Sequence, residues 1–113
     1  MTKSKKPSKV FTLLVQVGRR KGDGLPKGAT GAGLLCFAAA KDEEEAVRET
    51  VAVLKTAELA PLDVTGYGDI DERRAAGQEV GEDEIELMNR ALEENAVVVA
   101  QMTPYFGDEE AAK

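Results

Sequence analysis

A chain of 113 residues with 42% hydrophobic and 32% charged side chains has the make-up of one folded domain whose core needs no disulfide staple. It has no histidine, which removes the usual general base near neutral pH and the commonest transition-metal ligand. A net charge of −6 argues against a nucleic-acid binder, because phosphate neutralisation needs a broad basic face, and no apolar run approaches the roughly 20 residues of a membrane span.

The charge is unevenly spread. Eight of the fifteen basic residues precede residue 28, with Asp23 as the only acid among them, so this stretch is net +7 and the remainder net −13. Residues 1–8 read as a disordered basic leader, 9–106 as a single α+β domain, and 107–113 as a disordered acidic tail. The lone Cys36 has no partner for an internal disulfide, which points to a cytoplasmic setting.

Val10 to Val17 alternates and predicts a strand, with Phe11, Leu13, Val15 and Val17 on its core face and Thr12, Leu14 and Gln16 on the other. Gly33 to Ala39 is apolar on both faces and predicts a strand inside the sheet. The Gly18–Gly33 segment between them makes a hairpin loop of about 12 to 15 residues, where 2 to 5 is usual, and such lengths are more often functional. Asp42 with Glu45 marks the start of a helix that runs to about Leu59, its buried stripe formed by Val47, Thr50, Val51, Leu54 and Ala57. A third strand, Leu62 to Tyr67, ends in Gly66-Tyr67-Gly68. Asp69 to Asp83 reads as a second mobile loop with at most one helical turn. Glu82 to Glu94 predicts the second main helix, Asn95 its stop, and Ala96 to Thr103 the last strand, closed by Pro104.

The order β-β-α-β-α-β fits a two-layer, ferredoxin-like sandwich: a four-stranded mixed sheet with both helices on one face and the last three strands parallel. The opposite, half-apolar face then lies open, and the simplest cover for it is a second copy of the chain, giving a homodimer through the sheet.

The hairpin loop is the candidate binding site. Its small residues leave backbone N–H groups free and its cations add charge, so Arg19, Arg20, Lys21, Lys27, Thr30 and Tyr67 are the candidate residues for a small anionic ligand. It matches neither phosphate-binding pattern: Lys27 precedes Gly28 and a strand follows, and Gly31-Ala-Gly33 lacks a third glycine. Asp69, Asp71 and Glu72 form a carboxylate cluster of the kind that suits Mg²⁺ or Ca²⁺. A polar strand end explains it equally, so no metal ligand, catalytic residue or cofactor is assigned. Cys36 lies in an apolar strand and reads as core.

The segment Ala46 to Gly68, a helix leading into Leu62-Asp-Val-Thr-Gly-Tyr-Gly68, resembles the first helix and following strand of PII-type signalling proteins, whose comparable strand ends in Gly-aromatic-Gly before a long mobile loop. The resemblance spans about a fifth of the chain and implies a ferredoxin-like trimer that binds adenine nucleotides between subunits. In that family the first strand leads directly into the helix, whereas a loop and a second strand intervene here, so no site residue carries over. These readings point to a non-enzymatic, self-associating ligand- or protein-binding module. The alternatives are a PII-like or other ferredoxin-like sensor of an anionic metabolite, and a small metal-assisted enzyme using the carboxylates at 69–72.

Overall fold

The computed structural model describes residues 8–106, so the leader, apart from Ser8, and the tail lie outside the described residues. Seven elements follow in order: β1 (Lys9–Gly18), β2 (Gly31–Ala40), α1 (Glu43–Thr56), β3 (Ala60–Gly68), α2 (Ile70–Ala75), α3 (Glu82–Glu94) and β4 (Val97–Tyr105). Helix α1 starts as its sequence predicts. The Asp42 carboxylate accepts from the Glu45 amide at 2.8 Å, and the Glu45 carboxylate reaches back to the Lys41 amide at 2.7 Å, so N–H groups that the first turn leaves free are satisfied. The helix stops at Thr56 instead of Leu59 because Glu58 turns left-handed (φ 68°) and the Leu59 amide donates back to the Leu54 carbonyl. The same six-to-one reversal ends α2 around Gly77 and α3 around Asn95.

The four strands form one sheet in the order β3-β1-β2-β4, with every neighbouring pair antiparallel. The expected mixed sheet, with three parallel strands in a ferredoxin-like order, is therefore corrected. Helix α1 carries the chain past β1 and sets β3 on its far side, while the free edge of β2 is left for β4. Strands β2 and β3 run in the same direction but never touch. The chain then crosses back through α2 and α3, from Gly68 opposite Thr12 to Val97 opposite Ala38.

The helices also divide between the faces, where one covered face was expected. Phe11, Leu13, Val15 and Val17 of β1, with Leu34, Cys36 and Ala38 of β2, pack toward Ala46 and Leu54 of α1. On the other face Phe37 packs with Met88 and Ala91 of α3, joined by Val10, Leu35 and Val98. Phe37 is fully buried there, a contribution of about 2 to 3 kcal/mol. The sheet is the middle layer of this α+β sandwich, which explains why β2 is apolar on both sides. Thr12, Leu14 and Gln16 do share the second face, but its Thr12 end is not open. Toward the hairpin loop that face is sealed over Gly33 by Tyr105, whose hydroxyl occupies the space a side chain at Gly33 would need.

The segment read as a second mobile loop contains α2, held by a reciprocal capping box: the Glu72 amide donates to Asp69 and the Asp69 amide to Glu72, both at 2.9 Å. Its next residue, Arg73, is buried. One guanidinium nitrogen donates to Glu84 of α3 at 2.8 Å and to the Thr12 hydroxyl of β1 at 3.2 Å, while Nε donates to Gln78 at 2.8 Å. Arg73 thus ties α2, α3 and β1 together, and charge-assisted hydrogen bonds of this kind are the strong ones. By contrast Thr50, on the buried side of α1, leaves its hydroxyl with no hydrogen-bond partner.

Two substitutions follow with opposite signs. Arg73→Ala is expected to lower unfolding free energy by about 2 to 3 kcal/mol. Thr50→Val, which keeps the shape and removes the stranded hydroxyl, is expected to raise it by about 1 kcal/mol. Urea unfolding followed by circular dichroism reads both, and equal midpoints for Thr50→Val and the parent chain would show that the hydroxyl costs nothing.

Candidate functional site

The loop between β1 and β2 is built from two turns of the same form. The Asp23 amide donates to the Arg20 carbonyl at 3.1 Å, closing a turn over Lys21-Gly22, and the Ala29 amide donates to the Pro26 carbonyl at 3.1 Å, closing one over Lys27-Gly28. Both glycines have positive φ, 84° and 88°, which the third position of such a turn requires. Lys21 and Lys27 therefore occupy equivalent corners and both are exposed. The repeated Lys-Gly pair was the readable signal for this geometry, and counting glycines across the loop obscures it.

Arg19 locks the two turns together. Its guanidinium forms a two-pronged pair with Asp23, at 2.9 and 3.2 Å, and donates to the carbonyls of Pro26 and Ala29 at 3.1 and 2.6 Å. The Asp23 carboxylate, 3% exposed, also accepts from the amides of Arg20 and Leu25, at 2.7 and 3.0 Å. These bonds, Arg19's first, hold its pKa down at about 2. Leu25 and Ala29 turn inward and join Val17, Leu54 and Leu59 in the core. The loop thus closes one end of the sandwich as well as projecting from it.

The six residues singled out in the sequence divide on this geometry. Arg19 is spent inside the loop. Arg20 lies 3.6 Å from Glu58, beyond the end of α1, with both side chains about half exposed. Thr30 anchors the loop to the end of β4, its amide donating to the Tyr105 carbonyl at 2.7 Å and its hydroxyl to the same oxygen at 3.4 Å. Of these six, only Lys21 and Lys27 present charge that takes no partner among the described residues. Tyr67 is not part of this group. It is the extra residue of a bulge between the pairs Leu13–Gly66 and Thr12–Gly68, about 20 Å along β1 from the loop.

Two of the three carboxylates at 69–72 have structural work. Asp69 and Glu72 are the two halves of the α2 cap, and Asp69 also lies 3.5 Å from the Lys9 ammonium. The Asp69, Asp71 and Glu72 cluster that suited a cation in the sequence is the start of a helix, with Asp71 exposed on its first turn. Cys36 is fully buried in the core, and burial pushes its thiol up to about 11.

These features define a small α+β domain with a clamped, doubly turned cationic hairpin loop. The chain belongs to the family described as a domain of unknown function, DUF8846, whose model matches residues 10–106, from the first apolar residue of β1 to the residue after β4. No curated protein and no solved structure matches it. Among the described residues, no helix is long and apolar enough to cross a membrane.

The clamp has a pH signature. Because Asp23 titrates lower in the folded chain than the ordinary carboxyl near 3.9, its stabilising effect is complete above about pH 4 and is lost as pH falls toward 2. The difference in urea midpoint between the parent chain and Asp23→Asn is expected to be constant above pH 4 and to shrink below it. A difference that stays level down to pH 2 would mean the carboxylate is not held as described. For Cys36, no reaction with an aromatic disulfide reagent at pH 8 is expected until urea unfolds the chain, and prompt native labelling would contradict its burial.

Proposed function

We propose that this domain is a non-enzymatic cytoplasmic binding module whose hairpin loop offers Lys21 and Lys27 to a ligand or partner bearing phosphate or carboxylate groups. The observation that carries this reading is the Arg19–Asp23 clamp. A loop held by six hydrogen bonds to two side chains loses little freedom on binding, so its two turn corners act as preorganised cationic prongs. Arg20, at the start of the first turn, adds a third cation that its distance from Glu58 leaves half exposed. The chain after residue 27 is strongly acidic, so among the described residues the loop is where an anion meets least repulsion.

Lys21 and Lys27 are the pair to remove, because replacing Arg19 would also unmake the loop. The amide spectrum of ¹⁵N-labelled protein, titrated separately with inorganic phosphate, ATP and a polyglutamate peptide, distinguishes a metabolite from an acidic protein segment. The expectation is shifts concentrated at residues 20–28 with at least one of the three, and an affinity at least tenfold weaker in the folded Lys21→Ala, Lys27→Ala variant. No loop shifts with any probe, or equal affinity in the variant, would overturn the reading.

A further inference from the structure

The two edges of the sheet are built differently. Strand β3 carries the usual protection of an exposed edge: Pro61, Asp63 and two bulges, with Leu62 and Tyr67 as the extra residues. Strand β4 reads Val-Val-Val-Ala-Gln-Met-Thr-Pro-Tyr and contains no charged residue, in a chain that is 32% charged, although it has one bulge of its own, with Ala100 as the extra residue. In this it matches β2, the interior strand, which is also uncharged. Among the described residues β4 pairs only with β2, so its outer row of N–H and C=O groups is unpartnered.

The side chains next to that edge are also unfinished as a core. Val99 and Met102, opposite Cys36 and Leu34, belong to the α1 face of the sheet, yet they are 43% and 44% exposed. Val53 of α1, 41% exposed, stands over the same side and borders, with Val97, a groove of about 660 Å³ whose other wall carries Lys41, Glu45 and Glu49. The core on this face therefore stops short at β4.

We infer that β4 pairs antiparallel with β4 of a second copy, making one continuous eight-stranded sheet across a two-fold axis. Charge selects this occupant. Copies of a chain with net charge −6 repel each other, and on a two-fold axis each residue near the axis meets its own like, so an isologous edge has to be neutral. Val97 to Thr103 meets that condition, and Pro104, which has no N–H, limits the pairing to this stretch. The pairing satisfies the outer backbone groups and brings Val99 and Met102 of each copy against those of the other. The interface is small by the standard of permanent dimers, so association depends on concentration. It also replaces the face-to-face dimer expected from the sequence, because α3 covers part of the face that dimer needed. The inference is independent of ligand binding at the loop.

Sedimentation equilibrium of the full chain over a concentration series tests it, with Val99→Lys, Met102→Lys and, on the opposite edge, Leu62→Lys. The expected result is a monomer–dimer equilibrium in which each β4 substitution raises the dissociation constant at least tenfold and Leu62→Lys leaves it unchanged. A parent chain that stays monomeric up to about 1 mM overturns the inference. So does a dimer that is insensitive to Val99→Lys and Met102→Lys while both variants stay folded. If the lysine variants unfold, amide hydrogen exchange of the parent chain at low and high concentration decides: protection that rises with concentration at residues 97–103 supports the pairing, and protection that rises elsewhere or nowhere refutes it.

Discussion

Because β1 and β2 pair with each other along their whole length, from Lys9 opposite Ala40 to Val17 opposite Ala32, the two most apolar strands occupy the middle of the sheet. Everything else is arranged around that pair. Each central strand has one edge left to offer, and β3 takes that of β1 and β4 that of β2, at opposite ends of the sheet. Each central strand also has two faces to bury, so one helix cannot suffice. Helix α1 covers the face of Val15 and Cys36, and α3 covers the face of Phe37. The turn that joins the central pair then lies at the free end of the sandwich, where Leu25 and Ala29 complete the core.

Much of this was legible in the chain. The alternation of Phe11, Leu13, Val15 and Val17, the apolar run around Cys36, the Asp42 cap and the Asn95 stop each depend on contacts a few residues apart, and all appear in the structure. The division of helices between faces was not legible, because it depends on which strand lies beside which, and periodicity says only that a face is apolar. The clue available was β2 itself, whose apolar residues point both ways. Helix α2 was read only as one helical turn in a mobile loop, for a different reason. Asp69 and Glu72 admit two readings, ligand or cap, and only the fold shows that their oxygens are taken by amides.

At the candidate site, composition singled out the loop and could not tell its residues apart. All four loop cations look equivalent in sequence. In the fold Arg19 is internal wiring, Arg20 lies beside Glu58, and the two lysines stand at the turn corners. The difference is one of chemistry. A planar guanidinium satisfies two carbonyls and a carboxylate at once, which an ammonium on a flexible stem does not, so the loop uses arginine for its interior and lysine for its exterior.

The clamp also bears on the order in which the chain folds. Every hydrogen bond of Arg19 and Asp23 spans ten residues or fewer, so the turns close without waiting for β3 or β4. A loop of this length is otherwise slow to bring its ends together, since the entropy of closure is lost before any strand pairing returns it. A locally stapled tip shortens the effective loop and sets the register at Val17 and Ala32, from which the central ladder can zip toward Lys9 and Ala40. The clamp therefore lowers the entropy lost in closing the central hairpin, a contribution to the sheet that is separate from anything the loop binds.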